Sequence, residues 1–154
     1  MHPSADDRVC ETVKVTETIR CHGHPSITSR HPTTFEVTRE EHLSRAGDCI
    51  IAVGADKGAA DLSPAFRAAL ARNDAVLCTR LICGDQVAAI TSQGSEGMLL
   101  SHPTDLVWRR SSFVCDRTIG IFSDRTARTL PRPLIVRLRE GDDLRVELTV
   151  TAGE

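Results

Sequence analysis

His31-Pro32-Thr33-Thr34-Phe35-Glu36-Val37-Thr38 and His102-Pro103-Thr104-Asp105-Leu106-Val107-Trp108-Arg109 are one phrase written twice, 71 residues apart. The His-Pro-Thr is identical, and the alternation after it runs in step, Phe35 and Val37 against Leu106 and Trp108. A period of two marks a strand with one face on a core. Backwards from this phrase, Gly23 pairs with Gly94 and Ile19 with Ile90; forwards, Arg39 pairs with Arg110. A three-residue gap before Asp116 changes the offset to 68. Asp48 then matches Asp116, Ile51 matches Ile119, and Asp56-Lys57 matches Asp124-Arg125. Leu62, Leu70 and Asp74 match Leu130, Leu138 and Asp142. Self-similarity at a fixed offset outranks any local signal in deciding the architecture.

The structural punctuation repeats with the residues. Ser63-Pro64 offers an N-cap hydroxyl followed by proline in the first turn, where its missing N–H costs nothing. Phe66, Ala69 and Leu70 follow at helical spacing, and Asn73 is expected to close the helix in the left-handed conformation. The second unit reads Pro133, Leu134 and Leu138, with Gly141 where the first has Asn73. Strands are expected at 13–20, 33–38, 49–54 and 75–82, and again at 86–91, 104–109, 118–122 and 143–150. Short extended pieces at 26–29 and 98–101 bring the total to about ten strands and two helices. The pattern predicts a mostly-β protein, two packed sheets with two short flanking helices, internally duplicated about a pseudo-twofold axis. Residues 12–154 read as a single domain of two repeats, at about 13–83 and 84–153, and residues 1–11 as a disordered tail.

A chain of 154 residues suits one such domain. The net charge of -2 argues against bulk DNA or an anionic membrane as partner. Met1 to Asp7 lacks the apolar core of a signal peptide, and no apolar run is long enough to span a bilayer, so a cytoplasmic protein is expected. Cys10, Cys21, Cys49, Cys78, Cys83 and Cys115 form no C-x-x-C pair and read as buried or partly buried free thiols, Cys49 and Cys78 lying in apolar strands.

Gly23-His24, His31-x-Thr33-Thr34-x-Glu36-x-Thr38, Gly47-Asp48-Cys49-Ile50, Arg109-Arg110-Ser111 and Asp116-Arg117-Thr118 together resemble an archaeal family catalogued only as a domain of unknown function. The resemblance covers nearly the whole chain from about residue 12. It implies a jelly-roll-like β-sandwich and an archaeal host, and it carries no activity to transfer.

Three constellations hold chemistry. His22 and His24 with His31 present three imidazoles that would suit a divalent metal, zinc or iron. The second unit offers Gln93, Ser95 and His102 instead, so any such cofactor belongs to the first unit alone, and the competing reading is a turn with solvated histidines. Thr34, Glu36 and Thr38 share one strand face. The ordinary reading of that face is a solvated sheet side; the functional one is a cleft between the repeats in which Glu36, paired with Arg109 and aided by His31, binds or deprotonates a ligand. Trp108-Arg109-Arg110-Ser111 is locally basic, with Arg117 downstream, but Trp108 shares the apolar parity of Leu106 and belongs in the core. There is no phosphate-binding glycine loop and no nucleophile elbow.

The expected function is a small-ligand-binding protein or small enzyme with its site between the repeats. His24, Thr34, Arg109, Ser111 and Arg117 would contact ligand, with Glu36 and His31 as candidate catalytic groups. The arginines favour an anionic small molecule. The alternative is an RNA- or protein-associated interaction module using an exposed sheet face; nucleic acid is the less favoured partner and a membrane is not expected.

Overall fold

A computed structural model of the chain describes residues 12–43 and 47–153. Its strands are β1 (Thr12–His22), β2 (Thr34–Thr38), β3 (Ile50–Ala52), β4 (Val76–Cys83), β5 (Gln86–Gln93), β6 (Asp105–Arg109), β7 (Thr118–Gly120) and β8 (Asp143–Gly153). Helix α1 (Pro64–Leu70) lies between β3 and β4, preceded by a short 3-10 turn at Ala59–Asp61, and α2 (Arg132–Arg139) lies between β7 and β8. The result is mostly β, two sheets of four strands each. The first runs β1-β8-β4-β5, antiparallel throughout; the second runs β3-β2-β6-β7, with β2 and β6 antiparallel at its centre and a parallel edge strand on each side. Exchanging every element of the first half for its sequence-matched counterpart in the second reproduces both orders, read backwards.

Backbone details recur at the same two offsets. The N–H groups of Arg30 and His31 both donate to the Asp48 carbonyl, and those of Ser101 and His102 to the Asp116 carbonyl. Asp56 Oδ1 accepts from the Arg20 N–H and Asp124 Oδ1 from the Thr91 N–H, each at 3.0 Å, so this acid caps the same turn in both halves. Ser29 and Leu100 both take positive φ, as do Gly54 and Phe122.

Alternation in β4 and β8 puts Leu77, Thr79 and Leu81, and Leu144, Val146, Leu148 and Val150, on the buried face of the first sheet. The second sheet answers with Phe35, Val37, Leu106, Trp108 and Ile119, and the helices add Phe66, Leu70, Leu134 and Leu138 to the same core. Each such side chain, fully removed from water, stabilises by about 1.5–3 kcal/mol. Trp108 joins the layers: its ring stacks on Phe35 at 4.5 Å and its indole N–H donates to Thr79 Oγ1 at 2.9 Å.

Several local expectations need correction. The pieces at 26–29 and 98–101 are not strands. The Ile27 and Met98 N–H groups close turns onto the carbonyls of His24 and Ser95, and the positive φ of Ser29 and Leu100 then breaks any extension. Asn73 does not take the left-handed conformation. Helix α1 ends at Leu70, and the Asn73 amide instead donates to Glu96 Oε2 at 2.9 Å, while Gly141 does cap α2 with φ +87°. Cys78 is exposed, because the parity of β4 that buries Leu77 turns its neighbour outward; Cys21 and Cys83 are buried, and Cys49 and Cys115 half-buried. The tail reading of residues 1–11, Cys10 included, lies outside the described residues. Among those that are described, no helix is long and apolar enough to cross a membrane.

Candidate functional site

Strand β2 sets the site by its parity. With Phe35 and Val37 in the core, Thr34, Glu36 and Thr38 must take the opposite face of the second sheet. That face is not solvated here: Glu36 is only 6% exposed and both threonines are buried. The register between β2 and β3 shifts at Glu36/Val37, a bulge of the kind that re-aims a side chain.

Strand β6 lies beside β2, and the register decides the partners. Thr34 is opposite Arg109, Glu36 opposite Val107, and Thr38 opposite Asp105. The expected Glu36–Arg109 pair therefore does not form. Arg117, from the turn before β7, reaches over instead, with Nη1 3.7 Å from Glu36 Oε1 and 3.1 Å from Asp105 Oδ2. Thr38 and Thr104 donate hydroxyls to Asp105 Oδ1 at 2.8 and 2.9 Å, and the Cys49 thiol donates to Glu36 Oε1 at 3.5 Å.

This arrangement drives the two carboxyls apart. Burial, with the Asp105 carboxylate beside it, pushes the Glu36 carboxyl up to about 7, and Arg117 offsets only part of that. Burial acts the same way on Asp105, but hydrogen bonds from Thr38, Thr104, Glu36 and Arg117 outweigh it and hold that carboxyl below its ordinary value. The proton thus belongs to Glu36, which donates it to the Asp105 carboxylate. Such a pair can give or take a proton near neutral pH. Cys49 is no nucleophile: burial and the neighbouring Glu36 push its thiol up to about 12.

Above the pair opens a pocket of about 410 Å³. Thr38, Glu40, His42 and Cys49 line it from the first half and Asp105 and Arg117 from the second, so it lies on the seam between them. Beyond Arg117 the same sheet face continues to Cys115. Burial would raise that thiol, but the Arg117 backbone N–H, the Thr118 hydroxyl and the Arg109 guanidinium together bring it down to about 7. Arg109 Nη2 is 3.4 Å from its sulfur, and the same guanidinium lies over the Phe113 ring at 4.9 Å.

Of the residues singled out in the sequence, Glu36 and Arg117 meet, and Thr34 and Arg109 flank them on the same face. His24, His31 and Ser111 do not line the pocket. His31 Nδ1 accepts from the Thr33 and Thr34 N–H groups at 3.2 Å, pinning the turn into β2, and His102 does the same ahead of β6. His24 Nδ1 accepts from the Ser26 N–H, and Ser111 Oγ from the Phe113 N–H. His22 pairs with Glu41 at 3.1 Å and with the Gly23 carbonyl. The three imidazoles therefore serve separate turns, and among the described residues no group of three His, Cys, Asp or Glu side chains is placed to hold a metal. Thr38 was placed on the functional strand face without a contact role, and Asp105 and Cys115 are site residues that the sequence did not single out. Asp105 had one signal, its match to Thr34 on the functional strand face.

Residues 19–151, a span holding Glu36, Asp105, Cys115 and Arg117, match the family model described as domain of unknown function DUF371. The chain belongs to the DUF371 family. The resemblance drawn from Gly23-His24 through Asp116-Arg117-Thr118 thus holds over nearly the whole domain. A DUF371 relative, an uncharacterized protein of the archaeon Methanocaldococcus jannaschii, is 33% identical over 132 residues, covering 86% of this chain and 97% of its own length.

Proposed function

We propose that two diverged copies of one unit, at about 13–83 and 84–153, carry a small-molecule site on their shared seam, with Glu36 as its proton-transfer group. The observation that carries this reading is a carboxyl buried to 6% exposure, proton-paired with Asp105 and placed at the base of a pocket lined from both halves. A protein core does not gain stability from a carboxyl in such a place. Binding or chemistry gives it a use. Three carboxyls against one arginine make the pocket a better match to a neutral, hydroxyl- or amine-bearing molecule than to an anion, which shifts the preference suggested by the arginine-rich second half. The chain works as a ligand-binding protein or small enzyme, in a reducing cytoplasm that keeps its thiols free. The rival interaction surface, the outer face of the first sheet, has less in its favour: Arg80 and Arg145 there are both paired with Glu147.

The test is a fragment screen read by amide chemical shifts on the wild type and on Glu36→Gln and Arg117→Ala. Neutral polar fragments that shift Thr38, Gly47 and Ile50, and lose affinity in Glu36→Gln, support the reading. Hits scattered elsewhere, or equal binding by Glu36→Gln, overturn it.

A further inference from the structure

A second pocket, of about 420 Å³, opens where the turn at 28–30 and the loop carrying Arg128 meet helix α2. Arg30, Arg128, Arg132 and Arg139 line it beside the Thr28 hydroxyl and the buried Ile135, with no acidic residue in the lining. It shares no lining residue with the seam pocket. Arg39, Arg72, Arg80, Arg117, Arg137 and Arg145 each have a carboxylate within salt-bridge distance. Among the described residues, none of the four arginines here takes part in an ion pair.

Arg132 shows how the cluster is held. Its Nη1 donates to the Ser29 carbonyl at 3.1 Å, and Nη2 to those of Ala127 and Leu130 at 2.7 and 2.9 Å, so the guanidinium is fixed by neutral carbonyl oxygens. Burial and the nearby Arg30 charge both disfavour that cation and lower its pKa. Four like charges around one cavity repel, and among the described residues no carboxylate pairs with them.

The fold does not require this charge. At the matched offsets Ser101 of the second half stands for Arg30, and Ala60, Pro64 and Ala71 of the first half stand for Arg128, Arg132 and Arg139. The surrounding geometry is nonetheless common to both halves: the Arg128 N–H donates to the His31 carbonyl as the Ala60 N–H does to the His102 carbonyl. One of two equivalent sites has therefore gathered four arginines where the other has a single one, Arg67, at the match of Ile135.

We propose that this pocket binds a phosphorylated small molecule, its phosphate groups held by Arg30, Arg128 and Arg139 around the anchored Arg132. Guanidinium forks match phosphate oxygens in pairs. The volume exceeds that of a lone inorganic ion, and Ile135 gives the organic part an apolar wall. A concave site of this size favours a compact ligand over a nucleic-acid backbone, which would need a basic track across the surface.

Calorimetric titration with pyrophosphate and tripolyphosphate tests the site, using the wild type, the Arg30→Ala/Arg139→Ala double variant and an Arg80→Ala/Arg145→Ala control on the outer sheet face. Saturable one-site binding, weakened about tenfold or more in the first variant and retained in the control, is the expected result. Without ligand, the first variant should melt higher than wild type, because it relieves repulsion, and should lose the melting-point rise that pyrophosphate confers. No saturable binding, or equal loss in the control, overturns the proposal. So does a single-stranded RNA oligonucleotide that binds more tightly than tripolyphosphate and is lost in the same variant, a result that reassigns the cluster to nucleic acid.

Discussion

Glu36 and Cys115 are both moved by their surroundings toward neutral pH, and in opposite senses. Glu36 keeps its proton in the folded protein to about pH 7, whereas in the unfolded chain it ionises near its ordinary 4.5. Between those values the folded state holds more protons, so its stability falls as pH rises through the window and levels off above it. Glu36→Gln cannot ionise. Its melting temperature, measured against wild type from pH 4 to 8, should lose that decline, so that the variant gains on wild type toward alkaline pH. A parallel pair of curves would show that Glu36 is already ionised in the fold. Cys115, with a thiol brought down to about 7, should alkylate with a half-maximal rate near that pH in a Cys78→Ser background, while Cys49 stays unmodified. Arg109→Ala should move the Cys115 midpoint upward; an unchanged midpoint would remove Arg109 as the cause. Little of this was legible beforehand. Glu36 stood out by its place on a polar strand face, but its burial depends on Cys49 and Arg117, which return from distant positions in the chain. Cys78 misled for the reverse reason: its apolar neighbours are real, yet strand parity alone decides which of them it joins.

At the scale of elements, the punctuation residues carried most of the information. Ser63 does cap α1, its Oγ accepting from the Phe66 N–H at 3.1 Å, and Gly141 does close α2. Both glycines of the matched pair Gly23 and Gly94 also proved structural, for a reason that the sequence conceals. A Cβ on Gly23 would run into the Leu138 carbonyl of α2, and one on Gly94 into the Leu70 carbonyl of α1. Each glycine therefore lets the end of a strand approach a helix supplied by the opposite half. Gly94→Ala should destabilise by about 1–3 kcal/mol, as overpacking does, measured by urea denaturation with an unchanged m-value. A neutral effect would mean that the helix end yields freely. The two short pieces at 26–29 and 98–101 were misread because nothing in Ile27-Thr28-Ser29 announces a positive φ; it is imposed by the turn that delivers the chain to β2.

For the molecule as a whole, strand order was the part that no local pattern could supply. The matched halves do not form one sheet each. In the first sheet β1 pairs with β8, and β4 lies between β8 and β5; in the second, β2 pairs with β6. Each half so contributes to both layers, and each helix contacts strands of the opposite half as well as its own. Fragments 12–83 and 84–153 should consequently be unfolded alone and should regain β-type circular dichroism when mixed. A fragment that folds by itself would show that a half is self-sufficient. The same interleaving places the seam pocket across β2 and β6, where two polypeptide segments far apart in sequence are held in register by five residue pairs.

The pairing of β1 with β8 sets Thr12 beside Gly153, and the tight turn at Gly84-Asp85 joins β4 to β5 at the boundary between the halves. A short linker across the first point and a cut at the second would yield a chain that starts at Gln86 and finishes at Cys83, reading the second half before the first. Since exchanging the halves leaves both strand orders intact, this circular permutant should reach the same fold. In topological terms the strand order of residues 12–153 is that of a ring, which can be opened at either of these two points.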